Sequence, residues 1–151
     1  MRFFFQPEGI ALIGATANSR KGGHSILRNL VEGFDGAIYP VNPRYKTIEG
    51  RICYPSVAAV PDPVDLAIVF VPGPRVPDII RQCATRGIRG VMIESGGFAE
   101  VGPEGERLQR ELAAIAGETG IRLWGPNCMG LVDAHRRYVF SFTTPTIWNE
   151  A

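Results

Sequence analysis

Between residues 10 and 30 the chain reads IALIGATANSRKGGHSILRNL: an apolar run, a loop of small and polar residues, then apolar positions at helical spacing. The loop has the composition that phosphate binding uses. Small residues let backbone N–H groups approach phosphate oxygens, and the start of the following helix offers unpaired N–H groups and a positive dipole end. Gly14 and Ala17 are the small residues, Thr16, Asn18 and Ser19 can add side-chain donors, and Arg20 and Lys21 can add charge. A second stretch of similar character, ESGGFAEVG (94–102), follows another apolar run. Two such loops favour a phosphate-bearing ligand over glycines that merely permit tight turns. The dinucleotide fingerprint would require a second glycine at position 16, where Thr16 stands.

The elements that must position these loops alternate between strand and helix. Apolar runs at 10–13, 37–41, 65–71, 90–94 and 121–125 read as five strands. The continuous aliphatic run DLAIVFV at 65–71 suits a sheet covered on both faces. Three helices lie between them. Ile26, Leu27, Leu30 and Val31 mark the first, which stops at Gly33. Val76, Ile79, Ile80 and Cys83 mark the second, with Pro77 in its first turn and Gly87 beyond its end. The third opens at Pro103-Glu104, carries Leu108, Leu112, Ile115 and Ala116, and ends at Gly120. The alternation predicts an α/β fold: a Rossmann-like, doubly wound parallel sheet in a single domain. The expected strand order is 3-2-1-4-5, which places the ligand crevice between strands 1 and 4.

Composition excludes several classes. A chain of 151 residues with 45% hydrophobic content is large enough for one proper core. A formal net charge of +1 provides no general attraction to nucleic acid or to an anionic membrane. The opening MRFFFQPEG is too short an apolar run for a secretory signal, and LAIVFV at 66–71 is too short to span a bilayer. A cytoplasmic location is expected. Cys53, Cys83 and Cys128 are odd in number and widely spaced, so they read as reduced structural thiols, with no disulfide framework or metal site. The stretch RRYVFSFTTPTIWNEA at 136–151 has strand-like residues without an evident partner. The expected organisation is a ligand-binding domain over 1–134 and an extension over 135–151 that could lead to a following domain.

The end of the second strand separates candidate ligands. NAD binding normally places an acidic residue there for the ribose hydroxyls. This chain has YPVNPRYK (39–46), without a carboxylate and with Arg44 and Lys46. That suits a ribose bearing an extra phosphate, as in NADP or coenzyme A.

Several segments together resemble a known family. FFQPEGIALIGATANSRKGGHSILRNL, YPVNPRYKTIEGRICYPSV, VDLAIVFVP, ESGGFAEVG and GIRLWGPNCMGLVD occur in the order found in the CoA-binding domain of nucleoside-diphosphate-forming acyl-CoA synthetases. That family is related to the succinyl-CoA synthetase alpha subunit. The resemblance covers nearly the whole chain and implies coenzyme A as the ligand. It implies a CoA-phosphate cradle at Gly14, Thr16, Ala17, Asn18, Ser19 and Lys21, with Asn42 and Lys46 flanking the nucleotide. It also implies that Val71 and Pro72, and Ile93, Glu94 and Ser95, line the rest of the cleft.

In complete synthetases of this kind a phosphorylated histidine and an ATP-grasp module link CoA, acyl phosphate and nucleotide. The resemblance therefore implies partner domains of both kinds, in the same chain or in separate ones. Neither His24 nor His135 matches the family's phosphohistidine segment, and each reads as a surface or helix-end histidine. Cys128 has no evident activating base, so no catalytic residue is assigned. Two other functions fit parts of the pattern: a stand-alone CoA-binding protein with a regulatory or carrier role, and an NADP-dependent oxidoreductase fragment. With ATP or GTP, an acid and CoA, the 151-residue chain alone is expected to form no acyl-CoA. A coupled assay for nucleoside diphosphate release checks this, and turnover by the purified chain would overturn it.

Overall fold

The computed structural model describes residues 1–143. A short 3-10 turn at Arg2–Phe4 precedes β1 (Gly9–Ile13), α1 (Gly22–Gly33) and β2 (Ala37–Val41). A small hairpin, β3 (Thr47–Ile48) and β4 (Arg51–Ile52), and a 3-10 turn at Val57–Ala59 lead to β5 (Leu66–Val69). The chain continues through α2 (Val76–Arg86), β6 (Gly90–Ile93), α3 (Pro103–Thr119) and β7 (Arg122–Trp124). A second hairpin, β8 (Leu131–Asp133) and β9 (Tyr138–Phe140), follows. The three helices fall where apolar spacing places them, and α2 and α3 end at Gly87 and Gly120 in the left-handed conformation. Val31 departs from its expected place in the stripe of α1: it is 40% exposed.

Five strands form one parallel sheet, as the alternating pattern requires. Their order is β2-β1-β5-β6-β7, which corrects the expected 3-2-1-4-5. The third strand lies at the centre of the sheet, between the first and fourth, and the second is an edge. Two features explain this. Leu66, Ala67, Ile68 and Val69 are all fully buried, so the strand needs cover on both faces and neighbours on both sides. Pro40, within β2, has no N–H to donate, which suits an edge strand and not the interior place that 3-2-1-4-5 would require.

Alternation along the strands divides the core. Ala11, Ile13, Ala67, Val69, Val91 and Ile93 belong to the layer with α2 and α3. Ile10, Leu12, Leu66, Ile68 and Met92 belong to the layer with α1, Phe3, Phe4 and the second hairpin. Of the strand-like residues after 136, Tyr138 and Phe140 have partners, Tyr138 pairing with Asp133 and Phe140 with Leu131; residues 144–151 lie outside the described residues. Phe140 is fully buried and packs edge-on against Phe34 beyond the end of α1. Removing that ring leaves a cavity that a close-packed layer cannot refill, so Phe140→Ala is expected to cost about 3–5 kcal/mol. Denaturant unfolding monitored by circular dichroism measures it; a loss well under 1 kcal/mol would show that the hairpin is not part of the core.

Candidate phosphate-binding cleft

With this strand order, the winding direction reverses between β1 and β5, and the crevice opens beyond their carboxyl ends. A cavity of about 1040 Å³ lies there, at the upper edge of the range for small-molecule sites. Its walls are the loops after β1, β2 and β5, one face of α2, and the first residues after β6.

Close backbone contacts build the floor. Gly14 has φ +98°, and a Cβ there would lie 2.2 Å from the carbonyl oxygen of Phe70. A Cβ on Gly23 would lie 2.1 Å from the carbonyl oxygen of Gly14. Only glycine at both positions lets α1 start directly against the end of β1. No side chain caps the start of α1, and no acid stands in its first turn. The His24 and Ser25 N–H groups donate to the Lys21 carbonyl, while those of Gly22 and Gly23 and the positive dipole end remain available to an anion.

Most of the polar side chains at the cleft are engaged in holding loops together. The Thr16 hydroxyl accepts from the Asn18 N–H at 3.2 Å and bonds the Tyr45 hydroxyl at 3.0 Å. Asn42 Nδ2 donates to the Ala15 carbonyl at 2.8 Å, while its Oδ1 accepts from the Arg44 N–H at 3.0 Å. Asn18 Oδ1 accepts from the Arg20 N–H at 3.0 Å. Ser95 Oγ accepts from the Val71 N–H at 2.9 Å and donates to the Val69 carbonyl at 3.3 Å. The charges, by contrast, are unpaired. Lys21, Arg44 and Arg75 line the cavity without an ion-pair partner among the described residues, and no lining residue is acidic. Three cations with no opposing carboxylate make a local positive field in a nearly neutral chain.

Of the residues singled out in the sequence, Gly14, Thr16, Asn18, Lys21, Asn42, Val71, Pro72 and Ser95 line this cavity. Ala17 and Ser19 lie exposed on the same loop. Lys46 is exposed and outside the lining, its carbonyl accepting from the Cys53 N–H. Ile93 is fully buried in the core. The second glycine-containing loop is not a free cradle: Glu100 Oε1 accepts from the N–H groups of Gly97 and Phe98, and Gln109 from that of Ala99. Those donors are already satisfied, and the carboxylate opposes a phosphate. Sequence reasoning missed Arg75, just before α2, and Ile79 and Gln82 within it, which line the cavity from one side. Their i, i+4, i+7 spacing was a readable signal.

Both histidines make local contacts within the described residues. His24 Nε2 contacts Glu49 Oε1 at 2.7 Å, tying α1 to the tip of the first hairpin, and the backbone of His135 caps onto Asp133. Burial pushes the Cys128 thiol pKa up, and the thiol donates to the Ile93 carbonyl, so it is not an activated nucleophile. Among the described residues no cluster of side chains could hold a metal ion.

Glu94 is 3% exposed, outside the cavity lining, and its side chain turns toward the second hairpin. Oε2 accepts from the Phe142 N–H at 3.0 Å, while Oε1 is buried with no partner. Burial pushes its pKa up to about 8, against which the single donated bond works only in part. A carboxyl with a folded pKa above its unfolded one stabilises the fold fully below the unfolded pKa. That contribution falls as pH rises through about 8. Thermal melting of wild type and Glu94→Gln, in steps from about pH 5 to 9, reads this directly. The variant is expected to gain on wild type with rising pH; parallel curves would show that the folded Glu94 carboxyl is already ionised throughout this range and its pKa is not raised.

Residues 8–134 match the family model of the CoA binding domain. The alpha subunit of ADP-forming acetate–CoA ligase II from Pyrococcus furiosus is 42% identical over 142 residues, which is 94% of this chain and 31% of that protein. The crystal structure of PH0766 from Pyrococcus horikoshii OT3 superposes with a TM-score of 0.91 at 42% identity, covering 95% of this chain and 33% of that one. The dinucleotide forming acetyl-coenzyme A synthetase 1 of Ca. Korarchaeum cryptofilum, in complex with phosphate and ADP, superposes with a TM-score of 0.89 at 39% identity. It is covered to 31% of its length. The chain thus spans about a third of each of these three relatives.

Proposed function

Because the chain belongs to the CoA binding domain family, we propose that it holds coenzyme A in the cleft between β1 and β5, as the CoA-binding part of an ADP-forming acyl-CoA synthetase. The observation that carries this reading is the charge of the cleft: three unpaired cations, no carboxylate, and an uncapped helix start. Coenzyme A brings a diphosphate and a ribose phosphate, and each needs positive surroundings in a partly water-excluding site. The N–H groups at the start of α1, with Gly14, Ala17, Ser19 and Lys21, would take the diphosphate. Arg44 would take the ribose phosphate, with Lys46 near enough in the chain to add long-range attraction. Val71 and Pro72, with Ile79 of α2, offer apolar contact to the base.

Thr16, Asn18, Asn42 and Ser95 keep these groups in place through the bonds they already make. The remaining chemistry, phosphoryl transfer through a histidine and nucleotide binding by an ATP-grasp module, would be supplied by partner domains in the same or separate chains. The acetate–CoA ligase and acetyl-coenzyme A synthetase relatives support that assignment. The proposed location is cytoplasmic, with no membrane partner; no helix among the described residues is long and apolar enough to cross a membrane. No nucleic-acid partner is proposed for a chain of net charge +1.

Calorimetric titration with CoA, dephospho-CoA, NAD and NADP tests the reading. CoA is expected to bind most tightly. Arg44→Ala is expected to reduce the preference for CoA over dephospho-CoA by about 1 kcal/mol, the scale of a solvent-exposed ion pair, and Lys46→Ala by less. Equal affinities for CoA and dephospho-CoA in the wild type would remove the ribose-phosphate argument. Tighter binding of NADP than of CoA would favour the oxidoreductase.

A further inference from the structure

We propose that Glu94 is a positioning residue of the phosphate loop, acting through Phe142 and Phe70 without touching the ligand; the inference rests on the CoA reading above. Glu94 stands at the end of β6, where its own N–H donates to the Val69 carbonyl at 3.0 Å and the next residue, Ser95, lines the cleft. Its side chain leaves the cleft and enters the opposite layer, where Oε2 holds the backbone N–H of Phe142. Gly130 provides the room: a Cβ there would lie 2.9 Å from Oε1. Asn29 of α1 secures the same segment from the other side, donating at 2.8 Å to the carbonyls of both Ser141 and Thr143.

Held in this way, the Phe142 ring lies against Phe70, with centroids 5.6 Å apart. Phe70 is itself a wall of the cleft, and its carbonyl is the atom that a Cβ on Gly14 would meet at 2.2 Å. Gly22, the first residue of α1, fits into the same stack: a Cβ on it would lie 2.6 Å from the Phe70 ring and 3.2 Å from the Phe142 side chain. The residues that place the α1 start and the Gly14 loop are therefore backed by one ring whose position depends on a bond to Glu94. Because its pKa is pushed up to about 8, the carboxyl is mostly protonated at neutral pH. It can hold the backing segment without setting a full negative charge behind a site for phosphates.

The test uses the whole chain, with CoA itself as the probe, calorimetry for affinity and NMR hydrogen exchange for individual amides. In the wild type, CoA is expected to slow exchange at Gly22, Gly23 and Phe142. Glu94→Ala is expected to speed exchange at Phe142 and weaken CoA at least fivefold, and Glu94→Gln, an isostere of the neutral acid, to restore both. Phe142→Leu keeps the backbone donor but removes the stacked ring. It is expected to weaken CoA by a similar factor, and it decides the matter if Glu94→Ala does not fold. Wild-type affinity in a folded Glu94→Ala or in Phe142→Leu overturns the proposal. CoA protection at Gly22 and Gly23 without any at Phe142 also overturns it, while leaving the CoA reading intact. Protection at none of the three, with no calorimetric binding, overturns the CoA reading itself.

Discussion

The arrangement depends on a three-way backbone contact at the point where the sheet changes direction. The carbonyl of Phe70 presses on Gly14, and the carbonyl of Gly14 presses on Gly23. No side chain larger than hydrogen fits at either glycine without moving backbone. That contact sets the distance from β1 to α1 and to the segment leaving β5, and so the depth of the cleft. It also brings the start of α1 to the cleft, where Gly23 is part of the lining. The buried stripe of Ile26, Leu27 and Leu30 anchors the helix against the sheet, so its open end stays in register with the strand ends.

Around this contact the polar residues divide into two sets. Thr16, Asn42 and Ser95 bond to neighbouring loops or strand ends and Asn18 to the Arg20 N–H of its own loop, which holds the walls before any ligand arrives. Rigid walls lower the ordering cost of binding. Lys21, Arg44 and Arg75 are exposed and unpaired among the described residues, and their field is what distinguishes this cleft from an ordinary surface groove. The division explains how a chain of nearly neutral charge can present a strongly cationic site. Several of its other arginines are paired with carboxylates elsewhere, as are Arg28 with Glu32, Arg107 with Glu104 and Arg110 with Glu106 along helix surfaces.

The second layer behind the cleft comes from β9 and the segment after it. In the sequence this region shows only strand-like residues, yet it supplies Phe140 to the core and Phe142 to the backing of the phosphate loop. Its attachment to Asn29 and Glu94 spans more than forty residues of chain separation in each case. No local pattern reports such a contact.

The sequence by itself determined the five strands of the main sheet, the three helices with their ends and the parallel α/β class, and it singled out the first glycine-containing loop for the proposed phosphate contact. These follow from periodicity and turn chemistry within single segments, which act whatever the rest of the chain does. The strand order was also partly written there, in Pro40 and in the unbroken aliphatic run at 65–71, although it takes the competition between strands for the sheet centre to give those features their meaning. Which side chains are free to meet a ligand was decided only by the tertiary structure. Asn42 and Ser95 look like donors in the sequence and become struts because partners arrive from distant loops; Glu94 looks like part of the cleft and turns away from it. Ile79 and Gln82 reach the site because α2 packs with that face inward, and Arg75 reaches it from the turn that leads into the helix. Availability is a property of what surrounds a group, and those surroundings exist only once the strands are in place.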